Sequence, residues 1–430
     1  MAERTRGRLG IARRDEWIVG SLLLGFFALR ALALRTTPLV YFDSGDYRHL
    51  QLWGGRRPFT VPLLFWLAPS DTWKIVEQAA VSMFAWIAIA LVLAAGLEDR
   101  RVRLGCVTTF LALGLTTQIT NWDTAILSDS ITISLTVLLV AAWIAVYRSP
   151  SRWSVAAVLM VTTLWTFARE LHVYVTAVVA LIVVAIVVVR RTRAPWRILA
   201  IGLAIIAVLG VAERRASGQT SKENLAGVIG ARVLPEHEVR RWFVDAGMPA
   251  MPQLAEGRTH PDKELLAIPE FNRWASSGWM VYARYLLTHP SFAIDGPYRE
   301  LLEQREAFSD TTPAKEVLLS PKDAYGRSRP VLPSALEDLL FDPGHTGALL
   351  MLGAIALSGA VVVSARTGSD PRHDIPMVVV GAALLYVVLS WHGSVFEPGR
   401  HAMPAAVAVR VGLFALLAAL IDRIAVEHSR

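Results

Sequence analysis

Three features of this 430-residue sequence predict an all-α polytopic membrane protein. Hydrophobic residues make up 54% of the chain and charged residues 18%, with a mean hydropathy of +0.43. Soluble domains carry about half apolar and about a quarter charged residues. The apolar residues fall in blocks about 17–25 long, enough for a helix to cross roughly 30 Å of hydrocarbon. Arginines concentrate in alternate connections between those blocks, which is the pattern that orients membrane helices.

In chain order, the blocks predict ten membrane helices: 16–34, 75–97, 104–120, 130–147, 154–169, 172–190, 197–213, 346–365, 375–391 and 404–424. The fifth is short and carries Thr162, Thr163 and Thr166. With the N-terminus inside, the cytoplasmic segments hold eighteen arginines and the short outer loops six, Arg35, Arg48, Arg56, Arg57, Arg169 and Arg400. Both termini are therefore expected in the cytoplasm. The basic start MAERTRGRLGIARRDE leads into an apolar run with no small-residue exit, so that run reads as a retained helix rather than a cleaved signal. Arg30, near the outer end of that helix, is expected to snorkel towards water.

These helices divide the chain into a membrane module at 1–213, an insertion at 214–345 and a second membrane module at 346–430. The first outer loop, 35–74, contains Pro58, Pro62 and Pro69 among aromatics, which predicts short interfacial helices. The insertion is long enough for a small core of its own. Its stretch PEHEVRRWFVDAG has a proline near a first turn and a closing glycine, and FNRWASSGWMVYARYLLTHP ends at Pro290, so helices are expected there too. No run of alternating strands and no repeat interrupts the pattern.

The net charge of +7 does not point to nucleic acid. The arginine excess lies in short loops, and no basic stretch is interleaved with aromatics as a single-strand platform would be. Cys106, the one cysteine, lies in an apolar block, which leaves no intrachain disulfide and no cysteine-based metal site.

The polar residues at helix ends are the informative ones, because charge near a bilayer is costly. Four outer loops supply them: YFDSGDYRHL with Asp43 and Asp46, NWDTAILSDS with Asp123 and Asp129, WTFARELHVY with Arg169, Glu170 and His172, and WHGSVFEPGRHAMP with His392, Glu397, Arg400 and His401. A carboxylate accepts a proton or binds a metal, and arginine makes paired hydrogen bonds to phosphate. Blander readings exist for each piece. Asp43 and Asp46 flank Gly45 as turn residues do. Asp129 fits a helix cap, and Arg169 with Glu170 fits an interfacial ion pair. The tryptophans fit an interfacial belt. His237, His260, His289 and His345 are scattered through the insertion without ligand spacing.

The order of these pieces carries a resemblance. A first helix is followed by D-x-x-x-Y (Asp43, Tyr47), then by GGRRPFTVPLLFWL with Arg57, Pro58 and Pro62, then by AILSDSITISL before the fourth helix, and late in the chain by E-x-x-R-H. This resembles the GT-C glycosyltransferases, in the branch of protein O-mannosyltransferases and lipid A aminoarabinose transferases, best over residues 15–190. The resemblance implies transfer of a sugar from a polyprenyl-phosphate donor to a hydroxyl of a glycan, lipid or protein acceptor at the outer face of the cytoplasmic membrane. It implies Asp43 as general base with Asp46 as helper or metal ligand; a divalent cation, magnesium or manganese, is compatible with the pair and not required. By position, Arg169, Arg400 and His401 hold the donor phosphate, and Tyr47, Arg57, Asp129, Glu170, His172 and Glu397 line the substrate site. One departure stands out: Ser44 follows Asp43 where the branch commonly has a second acid.

Two rival classes predict other patterns. A transporter or flippase of lipid-linked sugars places charge near the bilayer midplane and shows two related halves. A non-catalytic scaffold of envelope assembly uses 214–345 to bind a partner and needs no acids and bases on four outer loops. Transfer accounts for the charges best.

Overall fold

The computed structural model describes residues 13–41, 43–190, 194–250, 261–303, 328–341, 353, 357–363, 370–393 and 398–429. Among these the regular structure is helical, apart from an isolated parallel bridge between Leu39 and Ala125. The first membrane module comprises α1 (Arg13–Ala33), α2 (Ser44–Tyr47), α3 (Thr60–Leu67), α4 (Asp71–Ala94), α5 (Arg100–Leu115), α6 (Thr117–Thr120), α7 (Asp129–Arg148), α8 (Arg152–Thr166), α9 (His172–Arg190) and α10 (Ala194–Ala216). Helices α11 (Gly218–Val228), α12 (His237–Asp245), α13 (Pro261–Leu266), α14 (Pro269–Thr288), α15 (Pro290–Glu303) and α16 (Ser334–Phe341) follow. The chain closes with α17 (Pro371–Gly393) and α18 (Pro398–Ser429).

Seven of the described helices, α1, α4, α7, α9, α10, α17 and α18, are long and apolar enough to cross a membrane, and the bent pair at 100–124 makes an eighth. The chain is a polytopic membrane protein. The count differs from the expected ten for two reasons. Helix α8 has 15 residues, short of the roughly 20 that a span needs. The helix expected at 346–365 lies largely outside the described residues.

The third expected helix is also broken. The chain bends by 51° between α5 and the stretch Thr117–Thr124. Thr116 leaves the helical conformation there, and its hydroxyl donates to the Leu113 carbonyl at 2.8 Å. The bend carries Asp123 back towards α1, where Arg30 meets it. Arg30 does not snorkel: it is 3% exposed and donates to Asp123 at 2.5 Å, to the Ser82 hydroxyl at 2.7 Å and to the Gly114 carbonyl at 2.8 Å. Ser130 donates to the other Asp123 oxygen at 2.6 Å. Asp123 is thereby consumed in packing α1, α4 and α5 together. Gly114 is needed for that approach, since a Cβ there would lie 2.6 Å from the Trp86 ring.

The bundle has two chemically different ends. Arg400 and Asp422 both lie on α18, about 33 Å apart at ~1.5 Å per residue, which matches the hydrocarbon thickness. At the Asp422 end, its carboxylate accepts the backbone N–H groups of Glu98 at 2.9 Å and Asp99 at 2.7 Å, closing the α4–α5 turn. At the Arg400 end lies the loop between α1 and α4. It is pinned by Leu39, which donates to Thr124 at 2.8 Å and accepts from Ile126 at 2.9 Å, and by Thr60, which donates to Phe167 at 3.0 Å.

Helices α11 to α14, with Phe292 of α15, pack around their own apolar cluster, with Phe243, Phe271, Tyr282 and Leu225 fully or nearly buried. His392, one of the polar residues of the last outer loop, bolts this layer to the bundle instead of facing a site. Its Nδ1 pairs with the Tyr282 hydroxyl at 2.8 Å and its Nε2 with the Ala293 carbonyl at 3.0 Å. Residues 328–341 return into the bundle, where Asn121 accepts from Ser328 and Glu337 accepts from Thr117.

Removing one partner of a buried ion pair leaves the other charge unpaired at a cost of about 3–5 kcal/mol, whereas replacing both by apolar residues is often neutral. Arg30→Met is therefore expected to lower the melting temperature in detergent sharply. Arg30→Met with Asp123→Leu is expected to recover most of the loss.

Candidate functional site

The site is built where three chain segments meet at the Arg400 end of the bundle. Asp43 precedes α2 and occupies its N-cap position, yet its side chain caps nothing. Its Oδ2 instead accepts from Arg400 Nη2 at 3.2 Å and from Arg57 Nη2 at 3.3 Å. The turn is held by its neighbour: Ser44 Oγ accepts the Tyr41 backbone N–H at 2.8 Å. Ser44, the departure from the family pattern, thus fixes the backbone that presents Asp43.

Asp129 opens α7 and is 1% exposed. Arg169 donates to its Oδ1, and Arg400 Nε donates to its Oδ2 at 3.0 Å. Ser128, just before it, would ordinarily cap the helix. Its hydroxyl makes no cap bond and is spent on Tyr47 at 3.1 Å and Arg169 Nε at 3.2 Å. The start of α7 has therefore given its polar atoms to the site rather than to its own N–H groups.

Arg57 completes the arrangement from the return of the first loop. One Nη2 atom serves Asp43 and Asp46, each at 3.3 Å, and Nη1 faces Glu170 at 3.9 Å. Its guanidinium lies over the Tyr47 ring, 5.0 Å from the centroid. The loop reaches this place through Gly54, whose φ of +64° suits glycine and which packs against Ala216. Arg214, buried at the end of α10, adds its charge on the far side of Glu170.

Burial opposes the charge on each of these groups, and the neighbours decide the outcome. Burial alone would push Glu170 up, but Arg214, Arg57 and Arg169 hold its carboxyl below the ordinary range. Burial likewise works against Arg57, and the carboxylates of Glu170, Asp43 and Asp46 hold it above its ordinary value. Burial pushes the Tyr47 phenol up, so it stays a neutral hydrogen-bonding group.

Of the residues singled out in the sequence, Asp43, Asp46, Tyr47, Arg57, Asp129, Arg169, Glu170 and Arg400 come together, with His401 beside Asp129. Among the described residues, His172 makes no hydrogen bond to the Asp43 carboxylate; it stacks on Trp165 with centroids 3.8 Å apart and pairs with the Tyr386 hydroxyl at 3.1 Å, both residues that line an apolar groove. Glu397 lies outside the described residues. Ser128 and Arg214 were not anticipated. Ser128 had a signal, a cap-type residue directly before a buried acid; Arg214 reads in sequence as an ordinary basic helix end.

Among the described residues, five buried side-chain atoms of this cluster have no hydrogen-bond partner: Asp43 Oδ1, Arg57 Nε, Arg169 Nη1, Glu170 Oε1 and Arg214 Nε. Buried polar atoms are nearly always paired, and leaving one unpaired costs about 1–3 kcal/mol. An apolar groove of about 630 Å³ runs between α7, α8, α9, α10, α17 and α18, lined by Thr136, Trp165, Val179, Val379 and Ala405 among others. Tyr386, next to Arg169, also lines it.

The two first-loop aspartates do share a cation, and it is the Arg57 guanidinium. Among the described residues no group of three or more histidine, cysteine, aspartate or glutamate side chains is arranged to hold a metal ion. With the Arg57 nitrogen 3.3 Å from each acid, the arrangement does not fit a divalent ion between Asp43 and Asp46.

A carboxylate held below its ordinary range stabilises the fold above that range and loses the contribution as pH falls through its folded value. Glu170→Gln removes this component. Its melting temperature is expected to fall less than that of the wild type as pH drops below the ordinary glutamate value of about 4.3. Thermal unfolding in detergent across that interval measures the difference.

No protein-family model matches the chain, and no curated protein matches it. Among solved structures it is similar to the archaeal oligosaccharyltransferase AglB from Archaeoglobus fulgidus in complex with an inhibitory peptide and a dolichol-phosphate, with a TM-score of 0.42 and 12% identity. That match covers 97% of this chain and 52% of the other, so this chain spans about half the length of that structure.

Proposed function

We propose that the chain is a membrane glycosyltransferase that moves a sugar from a polyprenyl-phosphate donor to an acceptor hydroxyl at the extracytoplasmic face of the cytoplasmic membrane. The observation that carries this reading is the Asp43 carboxylate. One of its oxygens is held by two arginines and the other is buried without a hydrogen-bond partner among the described residues, and Arg169 of the same cluster neighbours Tyr386, which lines an apolar groove. The arginine asymmetry of the sequence puts this end of the bundle outside and both termini inside.

The reaction follows from the groups in place. The prenyl chain lies in the groove, and its phosphate takes the unpaired Arg169 Nη1 together with Arg400. The acceptor hydroxyl hydrogen-bonds to Asp43 Oδ1. As the hydroxyl oxygen attacks the anomeric carbon, its proton passes to Asp43. The bond from that carbon to the phosphate oxygen breaks, and the electron pair leaves with the polyprenyl phosphate. Attack opposite the leaving group inverts the anomeric centre. The arginines stabilise the charge that develops on the phosphate, in a place where water does not screen it. Asp129 keeps Arg169 and Arg400 converged on one point. Tyr47 and Glu170 border the side where the acceptor enters, and His401 stands near the leaving oxygen.

A flippase would need its charges along the path through the bilayer. Here the ion pairs of Asp43, Asp129, Arg169 and Arg400 gather at one end, and the buried pair of Arg30 with Asp123, also near that end of α1, is locked into helix packing.

Two outcomes test the reading. Asp43→Asn keeps the shape and removes the base, so transfer by purified protein in nanodiscs, with a panel of polyprenyl-phosphate sugars, is expected to fall by at least about 10²-fold. Transfer at the wild-type rate would remove Asp43 from the mechanism. Separately, Ala382 lines the groove and is half-buried. Ala382→Trp is expected to raise the KM for a long-chain donor and to leave kcat and the KM for the acceptor near wild type.

A further inference from the structure

The first loop places two carboxylates three residues apart, a spacing that often holds a divalent ion. We propose that Arg57 is the built-in cation of this pair, so that the site works without a divalent metal. This rests on the reading of the chain as a glycosyltransferase only for its kinetic consequence; the binding claim stands apart from it.

The geometry carries the inference. Arg57 Nη2 lies 3.3 Å from Asp43 Oδ2 and 3.3 Å from Asp46 Oδ2, so one nitrogen sits between the two acids. The remaining nitrogen of the fork faces Glu170 at 3.9 Å, and the plane rests on Tyr47. Arg56 takes the other oxygen of Asp46 at 3.4 Å, and Arg400 also takes Asp43 Oδ2. A metal between Asp43 and Asp46 would have to displace Arg57 and would then stand beside the charges of Arg56 and Arg400. The loop path around Gly54 and the Thr60–Phe167 hydrogen bond fix where Arg57 enters. A guanidinium is planar, always charged and weakly hydrated, which suits a fixed, half-buried cation better than lysine does.

Arg57 is then a positioning residue. By occupying Oδ2 of Asp43 with Arg400, it turns Oδ1, the oxygen without a partner, towards the acceptor. It also sets one positive charge between two neighbouring acids. The proton transferred in the reaction never reaches Arg57.

The test uses the full-length protein in nanodiscs. Binding of Mn²⁺ is followed by electron paramagnetic resonance, and sugar transfer is measured with and without EDTA. Wild type is expected to bind no stoichiometric Mn²⁺ and to keep its transfer rate within about twofold in EDTA. Arg57→Gln is expected to lose at least about tenfold in kcat, with Arg57→Lys recovering part of it, as a point charge replaces a fork only in part. One Mn²⁺ bound by wild type and lost in both Asp43→Asn and Asp46→Asn overturns the inference, and so does transfer abolished by EDTA and restored by Mn²⁺. If wild type transfers no sugar from any donor, the glycosyltransferase reading fails, and the Mn²⁺ measurement still decides whether Arg57 fills the cation's place.

Discussion

The structure depends on the ion pairs that Asp129 makes with Arg169 and Arg400. Three segments far apart in the chain meet on that one carboxylate: the start of α7, the turn after α8 and the first turns of α18. Charge at the edge of a bilayer is tolerated only when it is paired and hydrogen-bonded. Once Asp129 is fixed there, both arginines must turn towards it, and Arg400 has a nitrogen left for Asp43. The first loop is therefore docked on the bundle by the same charges that form the site. Tyr47 on Ser128 and Arg57 facing Glu170 add to this docking, and backbone hydrogen bonds through Leu39 and Thr60 complete it.

This economy explains why the polar groups separate into two kinds. Arg30 and Asp123 satisfy each other and nearby hydroxyl and carbonyl groups, and they hold α1, α4 and the bent α5 together. The cluster around Asp43 is different. Asp43, Arg57, Asp129, Arg169 and Arg400 are charged and paired, yet several buried atoms of the cluster have no hydrogen-bond partner among the described residues, and Tyr386, beside Arg169, opens onto an apolar groove. Pairing keeps the charges in place, and the leftover atoms give a ligand something to bind. A groove beside a cationic rim matches an amphiphile whose head is anionic.

Much of this was legible in the sequence. Apolar block length located the long helices to within a few residues, because burial of a span in hydrocarbon leaves little freedom in composition. The position of acids and arginines at block ends located most of the site. What the sequence hid was pairing. Arg30 looked like a snorkelling residue because its partner Asp123 is brought to it by a bend at Thr116, and threonine in an apolar run is no break signal. His172 and His392 share chain segments with site residues, and only tertiary contact shows that His172 meets Trp165 and Tyr386 whereas His392 meets Tyr282 and Ala293. Arg214 ends a helix as many arginines do, and its nearness to Glu170 depends on how α10 meets the first loop.

The central claim is that this cluster receives the phosphate of a prenyl lipid. A structure of the protein in nanodiscs with a polyprenyl phosphate, determined by electron cryomicroscopy, tests it most directly. The account predicts the phosphate within hydrogen-bond distance, about 3 Å, of Arg169 and Arg400, with the prenyl chain along the groove between α7, α9 and α17. A headgroup bound at the Asp422 end, or a groove filled only by bulk lipid while the phosphate makes no contact with either arginine, would contradict it.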